Sequence, residues 1–267
     1  MKLLNGRELA GFIKERQAHE VRGLRQAHGV FPKLAIIQCK DDPVINTYVR
    51  LKKRYGADIL VDVQEHKIAQ ADVPGLLKEL NGDPGVHGII VQLPLADERQ
   101  TDEIVNLVAP EKDVDALGAG ATFVPATPNA ILWLLAGYNI ELAGKKILLV
   151  GRGKLVGAPL EKILKGQGLD VEVVGREIDN LQEKSLAADV IITATGSPAI
   201  LTSEMIKSGA VVVDAGVASE SGKTVGDLAD DVYGRDDLTI TPQKGGVGPL
   251  TVCALFENVI LAAKNKL

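Results

Sequence analysis

A strand-like run, Lys146-Ile-Leu-Leu-Val150, passes directly into Gly151-Arg152-Gly153-Lys154-Leu155-Val156-Gly157, where helical spacing begins. Few folds accommodate that sequence of events. Glycine permits a tight strand-to-helix turn and a close approach of backbone to a ligand, and the helix start offers free N–H groups and partial positive charge to a phosphate. The pattern Gly-x-Gly-x-x-x-Gly is one residue longer than the common dinucleotide fingerprint, and alone it is equally a turn without a ligand. Its setting favours the ligand, because a second strand, Val171–Val174, follows on schedule. Two further loops end apolar runs in the same half: Thr195-Gly196-Ser197-Pro198 and Asp214-Ala215-Gly216-Val217. In open α/β sheets ligands bind at such carboxyl ends of strands.

The rest of the chain repeats the alternation. Helical spacing covers 7–28, 44–56 and 72–81, with strands at Leu34–Gln38, Ile59–Val63 and Gly88–Gln92 between and after them. A helix near 101–108 leads into the turn-rich stretch Pro110–Pro128, where a domain boundary is expected. Thr127-Pro128 reads as an N-cap with proline at the first position of a helix through Gly137. Beyond the glycine loop come helix 155–167, strands Val190–Thr195 and Ala210–Asp214 with helix 202–208 between them, strand Leu238–Thr241, and an amphipathic helix Pro249–Lys264 that packs back on the first domain. The expected architecture is α/β: two βα domains flanking a cleft, the second a Rossmann-type doubly wound parallel sheet. Residues 1–118 with 249–267 form one domain and 119–248 the other.

Composition agrees. Aromatics are 3% and hydrophobic residues 46% of 267, a bias that suits parallel strands covered by helices on both faces. A net charge of −5 without long runs excludes a nucleic-acid footprint. The N-terminus lacks an apolar leader segment, and no apolar stretch reads as long enough to span a bilayer, so a cytoplasmic protein with reduced cysteines is expected. The four histidines show no metal-ligand spacing, and neither a nucleophile elbow nor a Walker A loop is present.

In the first half, Tyr48 and Lys52 share a helix face, where a ring can hold a flat substrate beside an amine suited to acid–base work. Gln92 ends an apolar strand before Leu93-Pro94-Leu95 and can hydrogen-bond a substrate or orient an amine. Asp113 and Asp115 lie at the domain junction; a carboxylate there can grip an amidine-like edge, or simply hold a turn, and the turn role suits Asp113 better. Gly245-Gly246-Val247-Gly248-Pro249 suggests backbone pressed against a ligand, an unusual backbone geometry or a hinge.

Taken in order, these segments resemble the bifunctional methylenetetrahydrofolate dehydrogenase/methenyltetrahydrofolate cyclohydrolase (FolD-type) family. The resemblance is carried by Asp42-Pro43…Tyr48…Lys52, Val86–Leu95 with Gln92-Leu-Pro-Leu, Pro110–Asp115, Thr127-Pro128, Gly151-Arg152…Gly157…Pro159, Gly226-Asp227 and Gly245–Pro249. It implies that Lys52 is a general acid/base shared by both reactions, that Tyr48 stacks on the folate, that Gln92 orients Lys52, and that Asp115 binds the pterin's amino-pyrimidine edge. Gly248 and Pro249 then line the folate and nicotinamide pocket, and Gly151, Arg152, Gly153, Thr195, Gly196 and Val217 hold the cofactor. The implied chemistry is hydride transfer from 5,10-methylenetetrahydrofolate to a nicotinamide, then hydrolysis of the methenyl product to 10-formyltetrahydrofolate. A homodimer through the cofactor domain, with no nucleic-acid or membrane partner, completes the expectation.

The chain departs from the family pattern at several positions: Gly153 replaces a serine, Ala116 a glycine, Ala126 a cysteine, Gln243-Lys244 a Val-Pro pair, and Ile45 a common serine. Cofactor choice turns on Arg152 and Arg176, which suit a 2′-phosphate, against Glu177, which suits a ribose 2′-hydroxyl. NADP is the expected cofactor, with NAD the alternative. Two other readings compete: another two-domain dehydrogenase such as a shikimate dehydrogenase, and a catalytically silent folate- or dinucleotide-binding module.

Overall fold

The computed structural model describes residues 1–175, 180–220 and 223–267. In chain order its elements are β1 (Lys2–Leu3), α1 (Gly6–His28), β2 (Lys33–Gln38), α2 (Pro43–Asp58), β3 (Asp62–Lys67), α3 (Val73–Gly82), β4 (Gly88–Val91), α4 (Thr101–Val105) and α5 (Ala126–Gly137). There follow β5 (Ile147–Val150), α6 (Gly157–Gly166), β6 (Val171–Val174), α7 (Leu181–Ala187), β7 (Val190–Thr193), β8 (Val211–Asp214), β9 (Ala218–Glu220), β10 (Lys223–Val225), β11 (Thr239–Ile240) and α8 (Val247–Lys264). The chain forms two compact units, Met1–Ala10 with Thr127–Thr251 and Gly11–Ala126 with Val252–Leu267.

The first unit is built on a six-stranded sheet in the order β1-β11-β8-β7-β5-β6, every pair parallel. Its central strands are apolar runs buried throughout, as a sheet covered on both faces demands. Leu148, Val150, Ile191 and Val212 belong to one core cluster with Leu201, Leu228 and Ile240. From β5 the chain moves outward to β6 and then returns to β7 on the other side. That reversal is the topological switch of a doubly wound sheet, and the crevice it opens lies at the carboxyl ends of β5 and β7.

The second unit holds a three-stranded parallel sheet, β3-β2-β4. The fully buried β4 packs with Ala35, Ile37, Leu77, Leu95 and Ile104. Helix α2 begins where Asp42 accepts hydrogen bonds from the N–H groups of Val44 and Ile45 at 2.8 and 3.2 Å, with Pro43 at its first position.

Several expectations need correction. The strand expected at Ile59–Val63 starts at Asp62, because Ile59–Val61 close α2: Leu60 takes a left-handed φ of 66° and the Val61 N–H returns to the Gly56 carbonyl at 2.8 Å. Helix 202–208 shrinks to a single 3-10 turn, Ser203–Met205. The Arg235 guanidinium captures the carbonyls of Ser203 and Ile206, and Gly209 turns left-handed beyond them. Helix α5 starts at Ala126, so Thr127 is not its N-cap, although Pro128 still lies in the first turn where its missing N–H costs nothing. β1, α7 and the antiparallel pair β9–β10 are additional elements.

Domain boundaries move as well. Met1–Ala10 belongs with the six-stranded sheet rather than with residues 11–118, because Lys2 and Leu3 extend that sheet by pairing with Thr239 and Ile240. The other transitions fall at Ala126/Thr127 and Thr251/Val252 instead of 118/119 and 248/249. Finally, α8 is long and apolar enough, by length and composition, to cross a membrane; 61% of it is buried within the protein, Phe256, Val259 and Ile260 completely. Its apolarity is that of a core helix.

Candidate active site and dinucleotide loop

Lys52 lies on α2, half-buried, with Tyr48 one turn earlier and 40% exposed. The Lys52 ammonium donates to Gln92 Oε1 at 2.8 Å. Gln92 follows the last residue of β4, and its Nε2 donates to the Leu93 carbonyl at 3.0 Å. That second bond fixes which end of the amide faces the lysine: oxygen, an acceptor that favours the protonated amine.

Asp115 supplies the opposing charge. Burial pulls the Lys52 pKa below its ordinary value, and the Asp115 carboxylate pushes it back up. Reciprocally, burial pushes the Asp115 carboxyl up and the Lys52 charge lowers it. Each group is shifted toward its neutral form by desolvation and held back by its partner.

The turn that presents Asp115 is fixed from two directions. Asp113, buried, accepts from the Gly118 N–H at 2.8 Å, so it takes the turn role; burial raises its pKa against those backbone bonds. Asn258 of α8, also buried, donates to the carbonyls of Val114 and Val124, both at 2.9 Å. Between them Ala116 adopts a φ of 57°, a conformation that costs a side-chain-bearing residue about 1 kcal/mol. Ala116→Gly is therefore expected to raise stability by up to ~1 kcal/mol, less the extra entropy glycine gives the unfolded chain. Urea unfolding checks this, and a lowered midpoint would contradict it.

In the first unit, the glycine loop continues the sheet. The Gly151 N–H bonds the Val174 carbonyl at 2.8 Å, and the Ala194 N–H bonds the Val150 carbonyl at 2.8 Å. Gly151 has a φ of 108°, and a Cβ there would sit 2.5 Å from the Ala194 carbonyl oxygen. A Cβ on Gly157, at the start of α6, would overlap the Gly151 carbonyl. Gly153 has open space, so the serine common at this position in the family would fit. Two glycines thus keep backbone against backbone at the switch point, the place where a doubly wound sheet binds a dinucleotide. Arg152 holds a cation at this loop, its Nε 2.8 Å from Glu161, which also binds Lys165 at 2.8 Å.

Thr195 and Gly196 follow β7, Gly196 with a φ of 69° and its Cβ position 3.3 Å from the carbonyl of Val217, itself 60% exposed. Arg176 and Glu177 lie outside the described residues. Gly248 and Pro249, expected in a pocket-lining loop, are in the first turn of α8. The glycines before them are explained within the chain: Gly246 lies against Gly6 with no room for a Cβ, and the Arg7 N–H bonds the Gly245 carbonyl at 3.0 Å. Sequence reasoning missed Asn258, whose lone polar amide in an apolar helix was the available signal, and it gave Asp214 and Asp227 no role.

A doubly wound sheet with a glycine loop at its switch point, in a chain whose second unit carries a half-buried Lys–Gln–Asp set, defines a dinucleotide-dependent enzyme class. The comparisons narrow it. Residues 4–115 match the tetrahydrofolate dehydrogenase/cyclohydrolase catalytic domain, and residues 125–267 match that family's NAD(P)-binding domain. The chain is 36% identical to the bifunctional protein FolD of Bacillus subtilis, over 99% of this chain and 98% of that one. The bifunctional FolD structure from Campylobacter jejuni superposes with a TM-score of 0.93 at 36% identity, over 100% of both chains. The Trypanosoma brucei enzyme, solved with NADP and an inhibitor, gives 0.93 at 30% identity, over 99% of this chain and 97% of that one. The chain belongs to the tetrahydrofolate dehydrogenase/cyclohydrolase family. Shikimate dehydrogenase of Thermus thermophilus, at a TM-score of 0.52 and 16% identity over 88% of this chain and 99% of that one, shares the fold alone.

Proposed function

We propose that this protein oxidises 5,10-methylenetetrahydrofolate with NADP and hydrolyses the resulting methenyl compound to 10-formyltetrahydrofolate, with Lys52 serving both steps. The observation that carries the reading is the Lys52–Gln92 hydrogen bond at 2.8 Å beside the charge of Asp115. A bound nicotinamide dinucleotide would supply the acceptor for the hydride of the one-carbon unit. Everything else falls to side chains of this chain. Tyr48 offers an exposed ring for the flat folate, and Asp115 offers a carboxylate for its amino-pyrimidine edge. Gln92 holds the Lys52 amine in place.

In hydrolysis, water adds to the methenyl carbon and Lys52 takes the proton it releases. As the carbon–nitrogen bond to N5 breaks, the same ammonium returns a proton to that nitrogen, and the remaining hydroxyl proton leaves to solvent as the formyl carbonyl forms. An amine whose pKa is lowered by burial releases a proton more readily than a free lysine. Binding of NADP is assigned to the backbone of Gly151, Gly153, Thr195 and Gly196 and to the Arg152 cation, with Arg176, Glu177 and Val217 as further contacts and Gly248 and Pro249 beside the substrate. A homodimer and a cytoplasmic setting belong to the same reading, supported by the family resemblance.

The test is initial-rate turnover of methylenetetrahydrofolate with NADP+ and, separately, NAD+, following reduced nicotinamide and methenyl absorbance. Faster turnover with NADP+ is expected; no turnover with either cofactor would sink the dehydrogenase assignment.

A further inference from the structure

The loops at the carboxyl ends of β7 and β8 close on a pair of carboxylates that the proposed reaction does not use. Asp227, fully buried, accepts from the Thr195 N–H through Oδ2 at 2.7 Å and from the Ser197 N–H through Oδ1 at 3.0 Å. Its carbonyl accepts from the Ile200 N–H at 2.8 Å. Its own N–H is directed at both oxygens of Asp214, the last residue of β8, at 3.1 and 3.0 Å. Asp214 also accepts from the Gly216 N–H at 2.9 Å, the Leu228 N–H at 3.3 Å and the hydroxyl of buried Thr193 at 3.1 Å.

Steric fit makes the arrangement reciprocal. A Cβ on Gly216 would overlap the Asp227 carboxylate, and a Cβ on Gly226 would overlap that of Asp214. Each glycine is thus required by the carboxylate carried on the other segment. The arrangement is also costly. Both oxygens of Asp227 meet N–H donors, which suits the ionised form, yet burial foremost, and the nearby Asp214 charge, push its pKa upward. Simple loop closure needs no buried carboxylate held against a second one; neutral turn residues achieve it.

We infer that Asp227 is a positioning residue for the dinucleotide: by binding the N–H groups of Thr195 and Ser197 it sets the Thr195-Gly196-Ser197 backbone at the switch side of the sheet, and through Asp214 it ties that backbone to Gly216-Val217. The inference rests on the proposed dinucleotide reading. Its residues lie in the first unit, whereas Lys52, Gln92 and Asp115 lie in the second, so the hydrolytic reaction is an internal control.

Asp227→Asn keeps the shape but turns an amide donor toward one of two N–H donors. The dissociation constant and KM for NADP+ should rise about tenfold or more, as loss of a charged hydrogen bond predicts. Hydrolysis of methenyltetrahydrofolate without cofactor should stay within about twofold of wild type. An unchanged NADP+ affinity, or an equal fall in both activities, would overturn the positioning role. Should Asp227→Asn fail to fold, Thr193→Val decides: it removes only the hydroxyl bond to Asp214, and about threefold weaker NADP+ binding with normal hydrolysis is expected. Unchanged binding in that variant would also overturn the inference. A wild-type protein that neither binds nor uses NADP+ defeats the functional reading instead, so the two failures are distinguishable.

Discussion

Replacing Lys52 by methionine is expected to lower the hydrolysis of methenyltetrahydrofolate by roughly 10²–10⁴-fold, the range a positioned general acid–base supplies. Methionine matches the aliphatic stem and removes the only part that bonds Gln92 Oε1. The cost in stability is the unpaired amide oxygen, about 1 kcal/mol, too little to unfold a domain of this size. A circular-dichroism melt near that of wild type, NADP+ binding retained and hydrolysis lost would together support the assignment. Hydrolysis near the wild-type rate would reject it. The pH profile offers a second reading of the same site. Burial lowers the Lys52 pKa and the Asp115 charge raises it, so kcat for hydrolysis should rise with pH as the amine loses its proton. Asp115→Asn removes the charge that opposes the lowering, and the rising limb should move to lower pH.

Gly157→Ala should have the opposite selectivity. A methyl group there meets backbone rather than a yielding side chain: the carbonyl oxygen of Gly151, its carbonyl carbon at 2.7 Å and Arg152 Cα at 2.9 Å. The loop must shift to accept it, at a cost of about 1–3 kcal/mol for overpacking. Displacement of a binding loop by about 1 Å is enough to cost on the order of 10²-fold in turnover. The dehydrogenase rate should fall by that factor, while hydrolysis, which needs no dinucleotide, continues. Methylenetetrahydrofolate oxidation and methenyltetrahydrofolate hydrolysis measured on one preparation decide the point. Equal loss of both would mean that the glycine serves only to keep the chain folded.

The fold was legible where local signals and tertiary burial agree. An apolar run such as Ile147–Val150 becomes a parallel strand where expected, because a sheet covered on both faces needs continuous apolar sequence. Legibility failed where one distant group overrides local preference. Residues 202–208 have helical spacing, but Arg235 takes two of their carbonyls. Lys2-Leu3 is too short to show a period and exists as a strand only because β11 pairs with it. Similarly, Ile59 and Val61 are apolar enough for a strand, yet they cap a helix whose left-handed end falls on a leucine rather than a glycine.

Lys52 and Gln92 were each readable as acid–base candidate and amine-orienting partner, and their bond joins them across 40 positions of sequence. The supports were harder to read. Asn258 and Asp227 act through backbone carbonyl or N–H groups far along the chain, and such pairings leave no spacing pattern. Glycine patterns were the least reliable guide. Gly151 and Gly157 pack against backbone at the strand-to-helix turn, and Gly6 meets the Gly246 backbone in the same way, contacts that answer to the fold whether or not a ligand is near.

The central claim is that one chain carries an oxidation and a hydrolysis in sequence. It is tested most directly by the stoichiometry of a single incubation with methylenetetrahydrofolate and limiting NADP+. The account predicts one 10-formyltetrahydrofolate formed for each NADPH, with methenyl absorbance rising only transiently. NADPH formed while the methenyl compound accumulates, hydrolysed no faster than in buffer, or 10-formyltetrahydrofolate formed without NADPH, would contradict it.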